Sequence, residues 1–101
     1  MTGTIKDLFV ERRFDLESGL EVIATIFAPE RQEGCYICEY TIVWPDRRLQ
    51  RHCYGEDGMQ AALLAMTLVE VNLKSCPEYE SGKLTWLGMR RLGLPSIDSL
   101  N

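Results

Sequence analysis

Residues 35–44 read Cys-Tyr-Ile-Cys-Glu-Tyr-Thr-Ile-Val-Trp. Aromatic and β-branched side chains dominate, and no glycine or proline interrupts them, which is the composition of a strand. Alternation puts Tyr36, Cys38, Tyr40, Ile42 and Trp44 on one face. Cys35, Ile37, Glu39, Thr41 and Val43 take the other. The first face is bulkier and uncharged, so it is placed against the core.

Working outward, Pro45-Asp46-Arg47-Arg48 reads as a turn with proline at a favoured corner. Residues 48–54 return as a strand, alternating around Leu49, Arg51 and Cys53. Upstream, residues 7–15 and 20–28 read as a hairpin around Glu17-Ser18-Gly19, with Leu20, Val22, Ala24 and Ile26 on one face. Pro29 cannot donate a ladder hydrogen bond, so the second strand is expected to end there. Pro29 to Gly34 reads as a charged loop. Short connections between consecutive strands favour an antiparallel meander.

A helix is predicted over about 58–74. Asp57 is a natural N-cap, and Gln60 can complete a capping box. Its apolar residues, from Met59 to Leu73, cover far more than one stripe, so it needs cover on more than one side. Pro77 stops it. Leu84, Trp86, Leu87, Leu92 and Leu94 in the tail are one possible cover. A symmetry mate is the other, because two-fold homodimers are the commonest oligomers. The predicted fold class is α+β. A four-stranded antiparallel sheet, with a short fifth strand allowed from Leu84, packs on one long helix in two layers. Residues 1–101 form a single domain, with 96–101 a loose tail.

Composition agrees with this reading. The chain has 101 residues, a formal charge of −4, 46% hydrophobic and 26% charged residues. That is the balance of an ordinary globular domain and excludes long disorder, collagen-like repeats and coiled coil. The acidic balance argues against general nucleic-acid binding, which needs surplus Lys and Arg. No apolar run approaches the roughly 20 residues of a membrane span. The start, Met-Thr-Gly-Thr-Ile-Lys-Asp, lacks the pattern of a secretory signal. A cytoplasmic protein is expected, with Cys35, Cys38, Cys53 and Cys76 reduced.

The run Gly55-Glu56-Asp57-Gly58-Met59-Gln60-Ala61-Ala62-Leu63-Leu64-Ala65-Met66 resembles the helix start of a small bacterial family of uncharacterised domains. Trp86-Leu87-Gly88 and Leu92-Gly93-Leu94-Pro95 have counterparts there. The resemblance extends from the second strand to Pro95. It implies a compact bacterial cytoplasmic domain and carries over no activity and no catalytic residue.

Candidate chemistry is sparse. Cys35 and Cys38 have the spacing of a zinc half-site, and His52, Cys53 or Cys76 would have to complete it. In a strand, positions three apart point to opposite faces, so the two thiolates cannot meet one ion. No metal or cofactor is therefore expected. The same pair lacks the helix start that a thioredoxin-like redox site uses. His52 and Cys53 are adjacent and should point apart, which argues against a nucleophile–base pair. Glu56-Asp57 is explained by helix capping. Tyr36, Tyr40 and Trp44 could form a stacking platform, but core packing explains them better.

The remaining candidate is a basic patch. Arg47, Arg48 and Arg51, with Arg12 if the first and fourth strands lie close, could fork onto a carboxylate or phosphate. Against it stands a solvated face balanced by Glu11, Glu39 and Asp46. Three functions are compatible with these residues. The first is a non-enzymatic protein-interaction module, with a homodimer as one form. The second is a toxin-neutralising or accessory protein, since an acidic chain suits a basic partner. The third is a small ligand-binding domain or thiol-dependent enzyme.

Overall fold

The computed structural model describes residues 7–96. The elements are β1 (Leu8–Leu16), β2 (Glu21–Phe27), β3 (Glu30–Gln32), β4 (Cys35–Trp44), β5 (Arg47–Gly55), α1 (Gly58–Lys74), α2 (Pro77–Glu80) and β6 (Leu84–Thr85). The α+β class and the antiparallel meander are as expected, but among the described residues the sheet has six strands: the four expected, the short one allowed from Leu84, which is β6, and β3 in addition. The expected loose tail falls on residues 97–101, outside the described residues, apart from Ser96.

β4 organises the sheet. β5 pairs along one edge from Tyr36 to Trp44. The other edge takes β2 at Tyr40–Val43 and β3 at Cys35–Ile37. β2 and β3 are thus one strand line broken at Pro29, whose missing N–H interrupts the ladder. Half of the expected loop is therefore strand. Its three residues are exposed and carry no apolar alternation, so only the pairing with β4 defines it. Gly34, at φ +74°, closes the turn back into β4. At the far side β6 adds two residues to β1, opposite Asp15 and Leu16.

The face assigned to the core in β4 is the buried one: Cys38, Tyr40, Ile42 and Trp44 are buried, and Tyr36 packs against them. Val22, Ala24 and Ile26 join them. Leu20, expected on that face, is 55% exposed because β2 begins after it.

α1 starts as read. The Asp57 carboxylate accepts from the Gln60 amide at 2.8 Å, and the Gln60 side chain accepts from the Glu56 amide at 2.6 Å. Ala61, Ala65 and Val69 repeat every four residues and are buried. Small side chains there let the helix sit close to the sheet. Gly55 is part of the same close approach, since a Cβ on it would stand 2.5 Å from the Ala61 nitrogen.

The helix lies mainly over β4 and β5, with little contact to β2. The C-terminal segment covers the rest. Trp86 to Met89 forms a tight hairpin turn with Leu87 at φ 53° and Gly88 at φ 79°. The chain then crosses β1. Arg12 stacks on the Trp86 ring at 3.9 Å and donates to the carbonyls of Leu92 (2.9 Å) and Gly93 (2.8 Å). Leu92 is fully enclosed, while Leu94 and Pro95 border the crevice beside Met66 and Val69. This strap is the second cover the helix required.

Gly93 has φ +68°, and a Cβ on it would come within 2.3 Å of the Trp86 ring. Gly93→Ala should therefore cost about 2 kcal/mol or more, from the left-handed backbone and the clash together. Leu87→Asn should stabilise by about 1 kcal/mol, because asparagine tolerates the left-handed region that leucine resists. Urea unfolding midpoints read both; an unchanged midpoint for Gly93→Ala would mean that the strap does not pack on Trp86.

Candidate functional site

The four arginines of the expected patch do not converge. Arg47 is a structural clamp. Its guanidinium makes a two-pronged bond to Glu78 (2.9 and 2.7 Å), reaches Asp46 at 2.9 Å, and lies over the Trp44 ring at 4.2 Å. It ties the β4–β5 turn to α2. Arg12 holds the strap. Arg12 and Arg51 face the helix side, but β2 and β4 lie between their strands, a gap of about 14 Å at the usual strand spacing. Arg48 faces the opposite, open side. It donates to the Gln50 side chain at 3.5 Å, and Arg51 donates to the Gln50 carbonyl at 3.0 Å. Arg48 and Arg51 are exposed and are the two not committed to holding the fold together.

The sulfurs and the imidazole are also dispersed. Cys35 lies on the open face, partly buried, whereas Cys38 is fully buried on the helix side. Cys38 stands opposite Cys53 across the β4–β5 ladder. Burial, and then the neighbouring Cys53, push the Cys38 thiol up to about 11. Burial raises the Cys53 thiol as well. Both act as weak donors, Cys38 to the Phe27 carbonyl (3.3 Å) and Cys53 to the Ala61 carbonyl (3.5 Å). His52 sits on the open face, edge-on to Tyr54 with ring centres 5.4 Å apart. Cys76 precedes α2. Among the described residues no three His, Cys, Asp or Glu side chains are grouped to hold a metal ion.

A different surface stands out. On α1, Met59 is 75% exposed and Leu63 is 40% exposed. They are four residues apart and form a ridge along the helix. A groove lies on either side of it. One, of about 420 Å³, is lined by Phe9, Pro29, Ala62 and Met66. The other, of about 560 Å³, is lined by Tyr54, Asp57, Gln60 and Leu64. A bulge between Leu8 and Val10 turns Phe9 toward the first groove. Leu8, Phe9 and Val10 are 58%, 48% and 40% exposed. The over-apolar helix signalled that something must cover it. Which side stayed bare depended on where the strap ran.

The Arg47–Glu78 clamp sets a pH dependence. Hydrogen bonding from Arg47 is the main cause holding the Glu78 carboxyl down at about 2. A folded-state value below the unfolded one means stability that is full above about pH 4.5 and is lost as pH falls toward 2. Glu78→Gln should destabilise by about 1 kcal/mol at pH 7, a charge-assisted pair discounted for its partial exposure. The difference from the parent chain should vanish near pH 2 in denaturant titrations; a difference that persists there would contradict the clamp.

No curated protein and no solved structure matches the chain. A family profile does, over residues 10–96, from the middle of β1 through the strap to Ser96. The matched span contains the sheet from Val10 onward, both helices and the Arg12–Trp86–Gly93 contact, so the chain belongs to the family described as Domain of unknown function (DUF6968).

Proposed function

We propose that this chain is a protein-interaction module whose working surface is the Met59–Leu63 ridge, and that it acts as a homodimer. The observation that carries the reading is a ridge and a groove side by side on one helix. A two-fold mate presents the same pair in reverse, so each ridge can enter the other copy's Phe9–Pro29–Met66 groove. Leu8, Phe9, Val10, Met59 and Leu63 together expose on the order of 500 Å² per copy, taking about 200 Å² for a large side chain. Two copies then reach the roughly 1,000 Å² that a specific interface needs.

A binding role fits the ionisable groups better than a catalytic one. The Cys38 and Cys53 thiols, two of the three buried ones, are shifted toward their unreactive protonated form, and His52 faces away from both. Four free cysteines favour a reducing compartment, here the bacterial cytoplasm. No helix among the described residues is long and apolar enough to cross a membrane.

Light scattering at about 100 µM, far above a micromolar dissociation constant, should give about twice the 11.6 kDa chain mass. Leu63→Glu should give a monomer with unchanged far-ultraviolet circular dichroism. A parent chain that stays monomeric, or a Leu63→Glu variant that remains dimeric, would refute the reading.

A further inference from the structure

The geometry points to a second docking surface, the free edge of β5, and we propose that it receives an extended acidic segment of another protein as an added strand. The proposal does not rest on the dimer, although the groove it uses also borders Met59 and Leu63. Among the described residues β5 pairs only β4, so its nine residues form the long open edge of the sheet. At the opposite margin, β6 and the strap occupy β1.

The register identifies the groups that are offered. The two-residue turn Pro45-Asp46 makes Trp44 and Arg47 a hydrogen-bonded pair, and alternation follows from there. Residues 47, 49, 51, 53 and 55 spend their backbone groups on β4. Arg48, Gln50, His52 and Tyr54 aim theirs outward, at the spacing an incoming strand requires, with the Gln50 carbonyl also accepting from the Arg51 guanidinium at 3.0 Å, a bond that an incoming strand shares or displaces.

Charge selects the partner. The strand reads Arg-Arg-Leu-Gln-Arg-His-Cys-Tyr-Gly, without an acid, on a chain whose net charge is −4. Arg47 is taken by Glu78. Arg48 projects on the open side and Arg51 on the helix side, so an added strand meets one cation on each face. Charges on an edge ordinarily block pairing between like copies. Charges of one sign also favour a strand of the opposite sign. Because the two arginines are three residues apart, the partner needs two carboxylates three residues apart, in either strand direction. Two positions beyond Arg51, on the same side, Cys53 is buried, and the 560 Å³ groove at Tyr54, Gln60 and Leu64 lies there to take an apolar side chain.

The probe is the capped peptide Val-Thr-Glu-Thr-Thr-Glu-Thr-Val, which places Glu, Glu and Val correctly in both directions. Its isomer Val-Thr-Glu-Thr-Glu-Thr-Thr-Val sets both carboxylates on one face. The first peptide should bind at least fivefold tighter than the second and slow amide exchange at residues 48, 50 and 52. Arg48→Glu with Arg51→Glu should weaken it at least tenfold, while Arg48→Lys with Arg51→Lys retains the amide protection and most of the affinity. Equal affinity for the two isomers, binding without protection of those amides, or displacement of the peptide by a short RNA oligomer would overturn the proposal. So would protection of the same amides that grows with protein concentration alone, which would mean a second copy occupies the edge.

Discussion

Arg12 is the contact on which the second layer depends. α1 covers β4 and β5 but leaves the apolar side of β1 and β2 bare, so the domain closes only if the C-terminal segment returns across β1. One guanidinium does this from the sheet. Its flat face stacks on Trp86, and its edge donates to two consecutive strap carbonyls, Leu92 and Gly93. The planar fork of arginine suits both contacts at once, which lysine could not reproduce. Gly93 is the counterpart, since any side chain there would occupy the space of the Trp86 ring.

The same device recurs at the margins. Arg47 lies over Trp44 and grips α2 through Glu78, and Arg90 lies over Tyr79 while donating to its carbonyl. Three stacked arginines thus fasten segments that are too short or irregular to hold themselves. These three cations are therefore committed to the fold rather than to binding. It also isolates Arg48 and Arg51 on β5, and leaves the Met59–Leu63 side of α1 as surface that nothing in the described chain covers. The architecture yields one apolar contact surface and one charged strand edge on neighbouring margins of the same strand–helix pair.

Much of this was legible in residue order. The alternation in 35–44 identified the buried face of the central strand, and Asp57 with Gln60 marked the helix start. The over-apolar helix announced a second cover. What escaped was what sequence-distant partners decide. Glu30–Gln32 has no strand pattern of its own and becomes one because β4 presents an unfilled edge. The short strand allowed from Leu84 does form, but its partners, Asp15 and Leu16 in β1, are not legible locally. The arginines read as a patch because nearness along the chain hides strand alternation, which sends Arg48 and Arg51 to opposite faces. Nor does local order show that Arg47 finds Glu78, thirty-one residues away. The exposed ridge was implied by the excess of apolar residues in the helix, but its position followed from the strap's path.

The central claim is that the strap closes over one flank of α1 and leaves the Met59 flank for a second copy. Methionine oxidation footprinting across a dilution series tests both halves, with Met89 at the hairpin tip, 44% exposed, as the internal reference. At low protein concentration Met59 should oxidise fast and the half-buried Met66 slowly, and at high concentration Met59 should become protected while Met89 does not. Equal rates for Met59 and Met66 at every concentration, or a Met59 rate that ignores concentration, would contradict the account.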